Sequence, residues 1–147
     1  RRFALTDTVS QVDFYVLERV DEHARQTLAC KLAEKAWRLQ NTIHIHTMTR
    51  ADAVHMDELL WTFRDGSFVP HELLGGETGA PVTIGFGDSP VEPRDLLITL
   101  CDDIPSFADS FPRVAELVSS DADCRERSRK RYAIYRDHGH TLETHRI

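Results

Sequence analysis

The sequence predicts an α/β layered fold built on a largely parallel sheet flanked by helices. Two patterns carry that expectation. Short β-branched or aromatic runs alternate with segments of helical periodicity, in the order β-α-β-α-loop-β-β-α-α. The 147 residues, 41% hydrophobic and 29% charged, are enough for one compact core without disulfide staples. Apolar residues this plentiful and this periodic argue against intrinsic disorder.

Residues 1–11 read as a flexible N-terminal segment, and 12–147 as a single domain. Val12 to Leu17 (V-D-F-Y-V-L) has the composition of a buried first strand. Asp21 is placed to cap a helix running to about Gln40. Its pairs Leu28/Ala29, Leu32/Ala33 and Ala36/Trp37 recur every four residues. Thr42 to Thr47 alternates as a second strand. Thr49, with Asp52 three residues on, opens a second helix with the stripe Ala53, Met56, Leu60 and Phe63. Residues 64–81 are rich in glycine and proline and read as a long loop, a feature often tied to function. Val82 to Phe86 and Asp95 to Leu100 are two further strands. Phe107, Phe111, Val114, Ala115 and Val118 fit a helical stripe, with Pro112 in its first turn or kinking it. A last helix spans about 121–138 and stops at Gly139.

The charge is unevenly spread. Overall, 18 Lys and Arg face 24 Asp and Glu, for a net charge of −6. Residues 1–123 hold 11 basic and 21 acidic side chains, net −10. Residues 124–147 hold 7 basic and 3 acidic, net +4. An acidic body with one basic face argues against wholesale nucleic-acid binding and for one anionic partner at one place. Cys30, Cys101 and Cys124 form no C-x-x-C pair and suit a reducing compartment. No apolar run approaches membrane-span length. The expectation is a cytoplasmic protein.

Chemical motifs are sparse. The turn after the first strand, Glu18-Arg19-Val20-Asp21, has no glycine for phosphate approach. G-x-x-x-x-G-K-[ST] is absent, and Gly85-Phe86-Gly87 meets Pro90 where a third glycine belongs. His44 and His46 share a strand face, and His138, His140 and His145 cluster late, yet no third ligand stands at an established zinc spacing. They read as partly exposed strand and tail histidines. Neither a catalytic constellation nor a cofactor or metal site is expected.

Two features resist a scaffold explanation. On a helical wheel Trp61 lies about 120° from the centre of its helix's core stripe, on the side of Val54, Asp57 and Asp65. Followed by Phe68-Val69-Pro70, it suggests an aromatic anchor for a partner; the alternative is that the loop folds back and buries it. The second feature is the run 125–136. Arg125, Arg129, Tyr132 and Arg136 fall within about 60° of one another on the wheel, while Ile134 and Tyr135 point towards the body. Such a stripe suits a peptide combining carboxylates with a hydrophobic end. A solvated face and a phosphate contact are the alternatives.

Taken in order, V-D-F-Y-V-L at 12–17, A-E-K-A-W-R at 33–38, D-E-L-L-W at 57–61, S-F-V-P-H at 67–71, G-A-P-V at 79–82, R-D-L-L-I-T-L at 94–100 and R-K-R-Y-A-I-Y-R at 129–136 resemble the chi-subunit family of the bacterial DNA polymerase III holoenzyme. The resemblance implies a three-layer Rossmann-like fold without a nucleotide site, and a non-catalytic subunit associated with the clamp loader. It implies pairing with the psi subunit through Trp61 and Phe68, a surface that a helicase-like protein also uses in some bacteria. It further implies binding of the acidic C-terminal tail of single-stranded-DNA-binding protein through Val118, Arg125, Arg129 and Tyr132, with Arg129 on the terminal carboxylate. Arg136 joins these from the stripe. Ala133 departs from the family pattern, which has a second basic residue after the tyrosine; Lys130 or Arg131 is the candidate replacement. Segment 86–93 reads as a variable loop. Asp102-Asp103-Ile104-Pro105-Ser106-Phe107 imitates the acid-acid-Ile-Pro-Phe ending of that tail, which raises self-docking into a neighbour's groove against simple coincidence. A Rossmann-type nucleotide-dependent enzyme and direct DNA binding through the basic helix are the competing readings.

Overall fold

The computed structural model describes residues 10–88 and 90–147. Of the segment expected to be flexible, residues 1–9 lie outside the described residues, Ser10 is buried, and Gln11 already opens the first strand. The elements are β1 (Gln11–Val16), α1 (Glu22–Arg38), β2 (Ile43–Thr47), α2 (Arg50–Thr62), β3 (His71–Leu73), β4 (Val82–Phe86), β5 (Leu96–Thr99), a 3-10 turn (Ala108–Ser110), β6 (Arg113–Val118), α3 (Ala122–Asp137) and β7 (Thr141–Arg146). The strands form one sheet in the order β3-β4-β2-β5-β6-β1-β7, with every neighbouring pair parallel. This is the three-layer Rossmann-like architecture expected from the sequence.

Alternation within the strands divides the core between two faces. Ile43, Ile45, Ile84, Ala115 and Leu117 turn towards α1 and α2 and pack on Ala29, Ala33, Met56 and Leu60. Val12, Phe14, Leu97, Val114 and Val118 turn the other way, against Tyr135 of α3 and Phe111. The caps follow the sequence reading: the Asp21 carboxylate accepts from the amide of Ala24, and the Thr49 hydroxyl accepts from that of Asp52. Gly139, at φ +86, ends α3 in the left-handed conformation that glycine tolerates.

Segment 107–118 is not a helix. Its only helical piece is the short 3-10 turn, and residues 113–118 form a central strand between β5 and β1. A strand covered on both faces needs no alternation of apolar with polar residues, so its apolar positions imitate helical spacing. Pro112 stands just before it, and its carbonyl accepts from the amide of Gln11. Two strands went unread. β3 is a three-residue edge inside the expected loop, and β7 is a mostly exposed edge with a weak hydrophobic pattern.

His44 and His46 are also corrected. Both are fully buried on the face opposite α1 and α2, beneath Phe107, rather than partly exposed. A directed chain of hydrogen bonds satisfies them. The Gly87 carbonyl only accepts, so His46 donates through Nε2 (2.8 Å) and accepts at Nδ1 from His44 Nε2 (3.0 Å). His44 Nδ1 then accepts from the Thr83 hydroxyl (2.8 Å). Burial pushes the His44 imidazole down to about 3 and lowers His46 as well. Gly85 on β4 makes room for the pair: a Cβ there would meet His44 Cε1 at 2.9 Å.

Candidate functional site

One face of α3 is fixed by a buried polar cluster. Arg131 donates to Glu116 on β6 at 3.0 Å and to the Asp102 carbonyl at 2.8 Å, and the Tyr135 hydroxyl donates to Glu116 at 2.9 Å. Burial raises the Glu116 carboxyl above its ordinary value, opposed by Arg131 and Tyr135. This pinning turns Arg125, Arg129 and Tyr132 towards a groove of about 240 Å³ over the carboxyl ends of the strands. Phe14, Val16 and Val118 line it from the sheet, Arg125, Ser128, Arg129 and Tyr132 from α3, and Thr144 and Arg146 from β7. The Phe14 and Tyr132 rings lie 5.3 Å apart. A groove this size accepts a side chain and a short run of backbone rather than an extended cofactor.

The guanidiniums differ in their engagements. Arg129 is exposed and paired with Glu126 of its own helix at 3.2 Å. Arg125 donates through Nη2 to Ser120, while its Nε is buried without a hydrogen-bond partner among the described residues. Arg136, expected on the same stripe, does not line the groove and lies beside Asp137 at 3.6 Å; the groove spans only the first half of α3. Arg131 is buried on Glu116, so it cannot stand in for the basic residue absent at Ala133. Of the two residues expected to dock the helix, Tyr135 does so and Ile134 remains exposed. Arg146 was missed because its strand was not recognised.

Trp61 and Phe68 form the second surface, at the opposite end of the sheet. They are 54% and 55% exposed, with ring centroids 5.6 Å apart. The loop does fold back beside Trp61, and His71 lies under it at 4.7 Å, yet the tryptophan stays open to solvent. Three contacts hold the loop. Val69 is fully buried in the core. Both ring nitrogens of His71 face carbonyl oxygens, of Val69 at 2.6 Å and of Asp57 at 2.9 Å. The Glu34 carboxylate of α1 accepts from Ser67 and Arg64, which hold it below the usual carboxylate range.

Two histidine–carboxylate groups occur among the described residues, Asp109/His138/His140 and Asp13/Glu143/His145. His140 Nδ1 accepts from the Ser10 amide at 2.9 Å, so its Nε2 carries the proton given to Asp109 at 2.6 Å and offers a metal no lone pair. Asp13 is committed to Arg113 (2.8 Å), His145 (3.0 Å) and Gln11 (3.1 Å). The tail-like segment at 102–107 is equally engaged. Asp102 pairs with Arg127 at 3.1 Å, and Phe107 packs edge-on against His46 at 4.8 Å.

A family model described as "DNA polymerase III chi subunit, HolC" matches residues 9–143. The chain belongs to the DNA polymerase III chi subunit family. Curated relatives called DNA polymerase III subunit chi agree. The Pseudomonas aeruginosa protein is 41% identical over 139 residues, covering 95% of this chain and 98% of its own length. The Haemophilus influenzae protein is 34% identical over 137 residues, covering 91% and 95%. The Escherichia coli protein is 34% identical over 138 residues, covering 89% and 94%. Membership supports an accessory role in replication, and as a chi-family chain it presents two open surfaces, one basic and one aromatic. Among the described residues, no helix is long and apolar enough to cross a membrane.

Proposed function

We propose that this chi-family chain is a non-catalytic, cytoplasmic adaptor of the replisome, working through one domain over 12–147. Trp61 and Phe68 pair with the psi subunit, and the α3–β7 groove takes the acidic C-terminal tail of single-stranded-DNA-binding protein. The observation that carries the reading is the groove: three guanidiniums around an aromatic floor, on a protein whose first 123 residues have a net charge of −10. Guanidinium forks bind carboxylates bidentately, and the floor of Phe14, Val118 and Tyr132 suits an apolar terminal side chain. The negative body repels the DNA backbone, so the groove selects the protein tail over bare nucleic acid.

The nucleotide-enzyme alternative has less support. At the N-terminal turn of α1, where a Rossmann-type enzyme would hold phosphate, Arg25 is buried. It donates to Glu22 at 2.8 Å and to the carbonyls of Leu100 and Leu117, each at 3.2 Å. Isothermal titration with psi and with the tail peptide tests the adaptor. Arg129→Ala should weaken the tail peptide severely, while Trp61→Ala should spare that peptide and disrupt psi pairing. Equal loss of both activities in either variant contradicts the two-surface arrangement.

A further inference from the structure

The groove's second wall belongs to β7. Thr144 pairs in register with Phe14 and Arg146 with Val16, so both side chains rise on the α3 side of the sheet beside the aromatic floor. β7 is an edge strand, and Arg146 on it is exposed. Arg146 makes no ion pair among the described residues, whereas Arg129 has Glu126, Arg127 has Asp102 and Arg131 has Glu116. The helix lacks a basic side chain at Ala133, and Arg131 is spent in the core. Arg125, which lines the same groove, has its Nε buried without a hydrogen-bond partner among the described residues.

Building on the tail-binding reading, we propose that Arg146 of β7 and Arg129 of α3 form a two-sided guanidinium clamp for the terminal carboxylate of an acidic peptide ending in an aromatic residue. The clamp makes the free C-terminus the specificity-determining group. It also replaces a second basic contact on the helix with one supplied by the sheet edge. The terminal ring rests on Phe14 and Tyr132 between the two arginines, and upstream carboxylates extend towards Arg125.

The test uses the full chain and two synthetic peptides of sequence Asp-Asp-Ile-Pro-Phe, one with a free carboxylate and one as the C-terminal amide. Arg146→Gln keeps most of the stem and removes the charge; it should weaken the free-acid peptide about tenfold, as expected for loss of one partly exposed charge-assisted fork. The same variant should change binding of the amide less than twofold, because the group that Arg146 reads is already gone. Arg146→Lys should recover part of the loss, restoring charge without the fork. Melting temperatures of the variants should match the parent, since Arg146 is exposed on an edge strand. If Arg146→Gln has no effect while Arg129→Ala abolishes binding, the clamp is overturned and the tail-binding reading stands. Equal weakening of acid and amide also overturns it, because Arg146 would then act only through general charge. If neither arginine variant affects the free-acid peptide, the tail-binding reading falls and the clamp falls with it.

Discussion

The buried histidine pair makes stability depend steeply on pH. Unfolded, His44 titrates near 6.5; folded, burial and the neighbouring His46 hold it neutral down to about 3. A histidine whose folded value is depressed binds protons more readily when unfolded, so stability is lost as pH falls below about 6.5 and continues to fall towards 3. At pH 5.0 the unfolded imidazole is protonated about thirtyfold over neutral, and RT ln(1 + 10^1.5) gives a loss of about 2 kcal/mol relative to pH 7.5 from His44 alone. His46, shifted the same way, adds to it. Urea unfolding at the two pH values, for the parent and for His44→Gln, isolates the effect. The parent should lose about 2 kcal/mol more than the variant. NMR supplies an independent readout: the His44 ring resonances should stay constant between pH 8 and 5. A midpoint near 6.5 for that ring, or equal pH dependence in parent and variant, would refute the reasoning.

Three further outcomes follow from the contacts around the two surfaces. Glu116→Leu leaves the buried Arg131 guanidinium without its carboxylate and should cost about 3–5 kcal/mol in denaturant unfolding. Glu34→Gln removes the carboxylate that draws Ser67 and Arg64 onto α1, so affinity for psi should fall several-fold while tail-peptide affinity is unchanged, both by titration calorimetry. Glu126→Gln frees Arg129 from an exposed pair worth at most about 1 kcal/mol; tail affinity should rise by less than about fivefold, and the gain should vanish in high salt.

Much of this architecture is legible in the residues because local signals and packing agree. β1, α1, β2, α2 and α3 stand within a few residues of where capping and periodicity put them. The wheel placed Trp61 off the core, and Arg125, Arg129 and Tyr132 on one open face. Segment 107–118 misleads because its burial comes from tertiary neighbours. Phe111, Val114, Ala115 and Val118 match a helical period by coincidence, and the Glu116 carboxylate makes sense inside only once Arg131 and Tyr135 reach it. His44 and His46 looked polar enough to be exposed, because the hydrogen-bonded chain from Thr83 to Gly87 that satisfies them joins residues far apart in sequence. Arg146 was hidden for a similar reason: its place in the groove depends on β7 pairing with β1, 130 residues earlier.

The order of strands has a mechanical consequence. The Trp61–Phe68 surface belongs to the α2–β3 end of the sheet and the arginine groove to the β6-β1-β7 end, four to six inter-strand steps away, or roughly 19–29 Å at about 4.8 Å per step. On the proposed reading the chain would act as a stiff spacer between two surfaces that share no side chain. Their binding free energies should add with little coupling, since sites this far apart and without shared partners seldom interact. On the proposed two-partner reading, the spacer would contribute local concentration, because holding one partner fixes the volume within which the other is sampled.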